Sequence, residues 1–243
     1  MKVDILAIGV HPDDVELSCS GTLLKHIEQG KTVGLLDLTQ GELGTRGTGE
    51  IRLVEAADSA RIMGAKFRKN LGMKDGFFRN TPENVQKIIE VIRWCQPEIV
   101  LANAPKDRHP DHGRASELAY QACFYAGLKK IPTQDEQGQE QEKWRPKALY
   151  YYVQDYNLKA DFVVDISDYI QRKEELILAF RSQFHVPDAA EYQEEDATPI
   201  SGKDFFDYLS ARARTVGRPA GFEFGESFIT ARIPGVKDLF DLV

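Results

Sequence analysis

The chain has 243 residues, 42% of them hydrophobic and 28% charged, and a formal net charge of -7. That supports one sizeable core without demanding a second domain, and the acidic balance argues against nucleic acid as a partner. No apolar run approaches the roughly eighteen residues of a membrane span, so no membrane partner is expected.

The start, Met1-Lys2-Val3-Asp4-Ile5, enters a strand at once and lacks a signal-peptide layout, which predicts a cytoplasmic protein. Residues 3–9 read as a buried strand, and 13–28 as a helix closed by Gly30. Residues 32–39 form a second strand, followed by a glycine-rich loop over 41–49. A helix over 50–63 stops at Gly64, and 67–71 is a short strand. Thr81 caps a helix with Pro82 in its first turn, running to Trp94. Residues 99–102 make the fourth strand and 113–125 the next helix. The polar stretch 133–143 reads as an exposed loop. Strands follow over 148–153 and 162–164, then a long amphipathic helix over 167–184, a helix over 204–216 and a last strand over 228–232. Alternating strands and helices predict an α/β fold: a mostly parallel, Rossmann-like sheet with helices on both faces, one domain spanning 1–243. Cys19, Cys95 and Cys123 are scattered in apolar contexts, the pattern of buried reduced thiols.

Three of the five histidines lie in two loops that each follow a parallel strand. The first loop is His11-Pro12-Asp13-Asp14, the second Asp107-Arg108-His109-Pro110-Asp111-His112. Proline fixes each turn, so side chains three apart converge. Two imidazoles and a carboxylate leave an open position on a tetrahedral zinc, and the expected ligands are His11, Asp14 and His112. The same donors accept iron(II). Asp13 is placed to act as general base, and His109 as the imidazole facing the developing oxyanion, held in its charged form by Asp111. No Gly-x-Gly-x-x-Gly follows the first strand, which argues against a dinucleotide site.

At these residues the chain resembles the LmbE-like (PIG-L-like) zinc-dependent N-deacetylases, which carry an A-H-P-D-D-E-type motif at the first strand end and H-P-D-H or H-x-x-H later. The resemblance implies a Rossmann-like fold and hydrolysis of an N-acetyl group from a small glucosamine-containing substrate. By motif position His11, Asp14 and His112 match the zinc ligands, Asp13 the base and His109 the charged electrophile. Here Val15 follows the two aspartates and Glu16 comes one place later, so Glu16 is expected only to support the turn by hydrogen bonding. Family analogy also implies a homo-oligomer, with Tyr150-Tyr151-Tyr152 as an exposed contact.

A narrower resemblance, to the deacetylases of bacillithiol biosynthesis that act on N-acetylglucosaminyl malate, rests on 39–48, Arg52, Lys74-Asp75-Gly76-Phe77-Phe78 and Asp107-Arg108. Glu42 is then expected to bind sugar hydroxyls, and Arg46, Arg52 and Arg108 the malate carboxylates. Tyr192 and the residues after it are expected to close over the site, and His185 to cap a helix. Other readings are deacetylation of a chitin disaccharide, cleavage of a thiol conjugate, and a non-catalytic metal- or sugar-binding α/β protein.

Overall fold

The apolar run after Asp4 forms β1 (Ile5–Gly9), buried along its whole length. A strand with no exposed position belongs inside a sheet covered on both faces. In the computed structural model, which describes all residues except 187, 188, 190, 191, 193, 194 and 243, β2 (Val33–Thr39) lies parallel on one side of β1 and β4 (Ile99–Asn103) on the other. β3 (Phe67–Met73) flanks β2 and β5 (Ala148–Tyr152) flanks β4, both parallel. β7 (Gly225–Thr230) joins β5 antiparallel, and β6 (Phe162–Asp165) pairs antiparallel with β7. The order is β3-β2-β1-β4-β5-β7-β6. The chain winds outward from β1 to β3, then jumps back to β4. The crevice between β1 and β4 is therefore the topological switch point, where such sheets bind ligands beyond the strands' carboxyl ends.

Alternation along the strands sends two sets of side chains to two cores. Leu6 and Ile8 meet Leu36, Leu38, Val100 and Ala102 under α3 (Pro82–Cys95) and α4 (Pro110–Tyr125). Ile5 and Ala7 meet Val33 and Leu35 under α1 (Asp14–Glu28), α2 (Gly49–Met63) and α5 (Ile170–Leu178). Leu6, Ile8, Leu35 and Leu36 have no accessible surface, each burial being worth about 1.5–3 kcal/mol relative to exposure. α2 and α3 begin as their sequences dictate: the Thr48 and Thr81 hydroxyls accept from the backbone N–H groups of Ile51 and Asn84. α6 (Asp204–Gly217) packs on the β6–β7 edge.

Four expectations are corrected. α4 begins at Pro110, not 113, because the His109 side chain caps it, so His112 stands in a first helical turn. The long helix over 167–184 is a 3-10 turn, Ser167–Tyr169, followed only by α5. Beyond α5, Phe180 and Phe184 bury against Ala56, Phe205 and Phe206, and Glu55 of α2 captures the Ser182 N–H at 2.6 Å and its hydroxyl at 2.7 Å. Those tertiary contacts outweigh the helical period. The last strand is Gly225–Thr230, three residues earlier than its apolar residues suggest, because it must pair on both sides. Tyr150, Tyr151 and Tyr152 are no exposed patch: β5 lies inside the sheet, Tyr151 and Tyr152 are buried, and the Tyr152 hydroxyl donates to the Ile8 carbonyl at 2.8 Å. Cys19, Cys95 and Cys123 are buried free thiols. Among the described residues no helix is long and apolar enough to cross a membrane.

Candidate active site

The β1–α1 turn brings three polar side chains to the switch-point crevice, with His11, Asp13 and Asp14 respectively 9%, 5% and 2% exposed. Asp14 is the most heavily held. One oxygen accepts from the backbone N–H of Val10 (2.9 Å) and His11 (3.0 Å) and from the Asn103 amide (3.0 Å); the other accepts from Gln154 (2.7 Å). Against burial, His112 and His11 hold its carboxyl well below the usual carboxylate range.

Both flanking histidines are backed by a carboxylate. His11 Nε2 lies 3.0 Å from Asp75 Oδ1, and His112 Nδ1 2.6 Å from Asp107 Oδ2. An ionised carboxylate only accepts, so these nitrogens carry the protons. The opposite ring nitrogens, His11 Nδ1 and His112 Nε2, face the two Asp14 oxygens at 3.8 and 3.3 Å. Donors at the bond lengths of a tetrahedral zinc stand roughly 3.4 Å apart; His112 Nε2 meets that spacing to one Asp14 oxygen and His11 Nδ1 stands wider from the other, with an orienting carboxylate already behind each imidazole. Against burial, Asp14 and Asp107 raise His112 to about 10; its extra proton is the one a metal would displace. Among the described residues, the trios whose ligand atoms all lie within 4.8 Å of one another are His11 with His109 and His112, and His11 with Asp75 and Asp111. Asp111 is otherwise engaged, by Arg114 and by the Gly76 N–H at 2.9 Å.

Asp13 projects beside this centre on a backbone with φ 146°, a conformation that costs a non-glycine residue about 1–3 kcal/mol. Arg52 holds it there. The guanidinium, 5% exposed, donates to Asp13 Oδ2 (2.8 Å), the Pro12 carbonyl (3.0 Å) and the Gly41 carbonyl (3.2 Å). Gly41, at φ 66°, is the residue that lets this happen, since a Cβ there would fall on the guanidinium. Burial pushes the Asp13 carboxyl up to about 7, against the opposing pull of Arg52 and His11.

His109 is half-buried at the mouth, its ring 4.7 Å from that of His11. The expected charged pair with Asp111 does not form. The Asp111 carboxylate is turned toward Gly76 and Arg114, and only its backbone N–H reaches His109, donating to Nδ1 at 3.3 Å. Burial and the neighbouring imidazoles lower the His109 pKa, and with Nδ1 facing the Asp111 N–H the ring's outward donor is Nε2–H.

The cleft these groups line measures about 230 Å³ and is completed by Leu17, Leu43, Gly44, Gln183 and Ile200. That is at the small end for organic ligands. The expected substrate residues divide. Arg108 lines the cleft, its side chain 55% exposed and its Nε 2.8 Å from Asp155. Arg52 is spent on Asp13. Arg46 is spent on the chain: it is 8% exposed and donates to the carbonyls of Ser182, Tyr192, Glu195 and Asp196. Glu42 accepts from the Asp75 N–H at 2.9 Å. Tyr192 and His185 line a neighbouring cavity of about 210 Å³ with Arg46; part of the segment after Tyr192 lies outside the described residues. Glu16, expected to support the turn, instead ties α1 to α2 and β3, accepting from Ser59 (2.7 Å) and from Arg68 (2.6 Å), which also forks onto Asp37. Asp75, Asp107, Asn103 and Gln154 carry no expected role from the sequence. They lie at or just beyond the ends of β3, β4 and β5 at the same sheet edge, and Asp75 and Asp107 fall in stretches quoted for the narrower resemblance.

Residues 6–123 match the family model described as PIG-L, GlcNAc-PI de-N-acetylase. The diacetylchitobiose deacetylase of Thermococcus kodakarensis is 33% identical over 192 residues, 74% of this chain and 70% of the relative. A probable N-acetyl-alpha-D-glucosaminyl L-malate deacetylase 2 of Bacillus anthracis is 27% identical over 143 residues, 53% of this chain and 63% of that one. Among solved structures, the conserved protein TT1542 of Thermus thermophilus superposes with a TM-score of 0.83 at 36% identity, covering 97% of this chain and 98% of that one.

Proposed function

Given that the chain belongs to the PIG-L/LmbE family and is a hydrolytic N-deacetylase, we propose that it removes the acetyl group from N-acetylglucosaminyl malate, a step of bacillithiol biosynthesis, using zinc held by His11, Asp14 and His112. The observation that carries the chemistry is the gathering of His11, Asp14 and His112, a fixed Asp13 carboxylate and the His109 imidazole on one small cleft. A divalent ion there would supply the Lewis acidity that polarises the acetyl carbonyl and lowers the pKa of the attacking water. Asp13, oriented by Arg52, takes the proton from that water as it adds to the carbonyl carbon. His109 donates from Nε2 to the oxygen as it becomes an oxyanion. The proton then passes to the amine nitrogen, the C–N bond breaks, and acetate and the free amino-sugar leave.

Arg108 supports an acidic aglycone, because it is the expected arginine whose side chain stays largely exposed at the cleft. With Arg46 and Arg52 both engaged inside the protein, the case for a dicarboxylate is narrower than three arginines suggested. The identity to a diacetylchitobiose deacetylase favours a neutral disaccharide as the second reading. Acetate release by zinc-loaded protein, compared on N-acetylglucosaminyl malate, diacetylchitobiose and N-acetylglucosamine, tests the choice. A preference of at least about tenfold in kcat/KM for the malate glycoside is expected from one charge-assisted contact. Equal or better turnover of the disaccharide would transfer the assignment to it.

A further inference from the structure

We propose that Asp75 is a positioning residue that couples metal loading to the placement of the glycine-rich loop at the cleft mouth. The proposal rests on the reading of His11 and Asp14 as metal ligands. Asp75 follows β3 and is 4% exposed. Its two oxygens serve two different elements: Oδ1 meets His11 Nε2 at 3.0 Å, and Oδ2 accepts the Leu43 N–H at 3.0 Å. Its own N–H donates to Glu42 at 2.9 Å. Leu43 and Gly44 line the cleft. The next residue, Gly76, donates its N–H to Asp111 and accepts from Arg114 at 2.9 Å. One short turn therefore ties the loop after β1, the loop after β2 and the first turn of α4.

The chemistry of the two contacts makes them interdependent. Both partners are donors, so the residue between them must offer two acceptors, which a carboxylate does. A metal drawing on His11 through Nδ1 makes Nε2–H a stronger donor to Asp75. The carboxylate is then held more firmly, and so is the Leu43 amide on its other oxygen. By linkage, whatever holds the loop in place also favours the metal.

An asparagine of the same shape cannot serve both sides. If its oxygen stays on Leu43, its NH₂ faces His11 Nε2 and demands a lone pair there. The His11 proton then moves to Nδ1, the atom facing Asp14 and the metal position. If the amide turns over, the Leu43 N–H loses its acceptor. A residue that merely fills space would tolerate Asp75→Asn in either orientation.

The test uses the full chain with Zn²⁺ as the probe. It combines chelator competition for metal affinity with hydrogen exchange at the Leu43 amide, with and without Zn²⁺. In the wild type, Zn²⁺ is expected to slow Leu43 exchange. Asp75→Asn is expected to weaken Zn²⁺ binding about 10–100-fold and to abolish the effect of Zn²⁺ on Leu43. Nitrogen chemical shifts of His11 should report the proton on Nδ1 when the amide oxygen stays on Leu43. Wild-type affinity in Asp75→Asn, alongside lost affinity in His11→Ala, would overturn the proposal alone. Wild-type affinity in His11→Ala would overturn the metal-centre reading beneath it. Leu43 exchange unchanged by Zn²⁺ in the wild type would overturn the coupling, and that measurement needs no variant.

Discussion

The two histidine loops do different work although their motifs look alike. The turn after β1 is short and closed in. His11, Asp13 and Asp14 are buried, their orientations imposed by backbone amides, Arg52 and Asp75. The loop after β4 is open on one side. Asp111 and His112 are buried, but Lys106, Arg108 and Pro110 are exposed and His109 is half-buried. The first loop carries strain at Asp13, held by a guanidinium with three acceptors. The second forms by ordinary helix capping at His109. On the proposed function, groups that must keep one geometry through the reaction are packed from below, and groups that must meet a substrate stand where solvent reaches them.

This division breaks most visibly at the shared metal position. His112→Ala removes the ligand that the second loop lends to the first in the proposed metal centre. Metal content measured by elemental analysis should fall to background, and acetate release with it. Asp13→Asn should retain the metal while turnover drops by about a hundredfold or more; near-normal turnover in metal-replete protein would remove Asp13 from the role of base. Arg52→Met leaves the base in place but no longer fixed. A fall in kcat of roughly ten- to a hundredfold, with KM for the same substrate little changed, is the expected signature of lost orientation. Arg108→Ala, on the open loop, should do the opposite: about a tenfold rise in KM for an acidic glycoside, kcat preserved, and no change for neutral N-acetylglucosamine. An equal loss on both substrates would mean that Arg108 supports the loop and not the aglycone.

The parallel half of the sheet was legible because its signals are local. A four-residue apolar run before His11, helical spacing after it, and Thr48 and Thr81 as caps each act within one turn of chain. The antiparallel edge was less so. The end of α5 depends on Glu55 reaching Ser182 across 127 positions, and no window of sequence contains both. The same limit separates the site residues. His11, Asp14, His109 and His112 could be read as a set because each loop supplies two with fixed spacing. Asp75 lies in a stretch that the resemblance singled out without giving it a role; its partners are His11, 64 positions away, and Leu43, 32 away, and its role lies in those contacts. The arginines show the converse error. Arg46 and Arg52 sit in or near a polar, glycine-rich stretch that reads as solvent-facing, yet both are less than a tenth exposed.

Residue types and their short spacings were sufficient to specify an α/β chain with two imidazole-carboxylate turns at strand ends, and so the class of chemistry. The strand order decided that those turns meet, because β4 pairs with β1 and not with β3. Packing decided the rest. It turned Asp111 away from His109, committed Arg52 to Asp13, and gave His11 and His112 each a carboxylate behind it. A buried polar group must find partners wherever the fold places them, and those places are set by contacts tens to hundreds of residues apart.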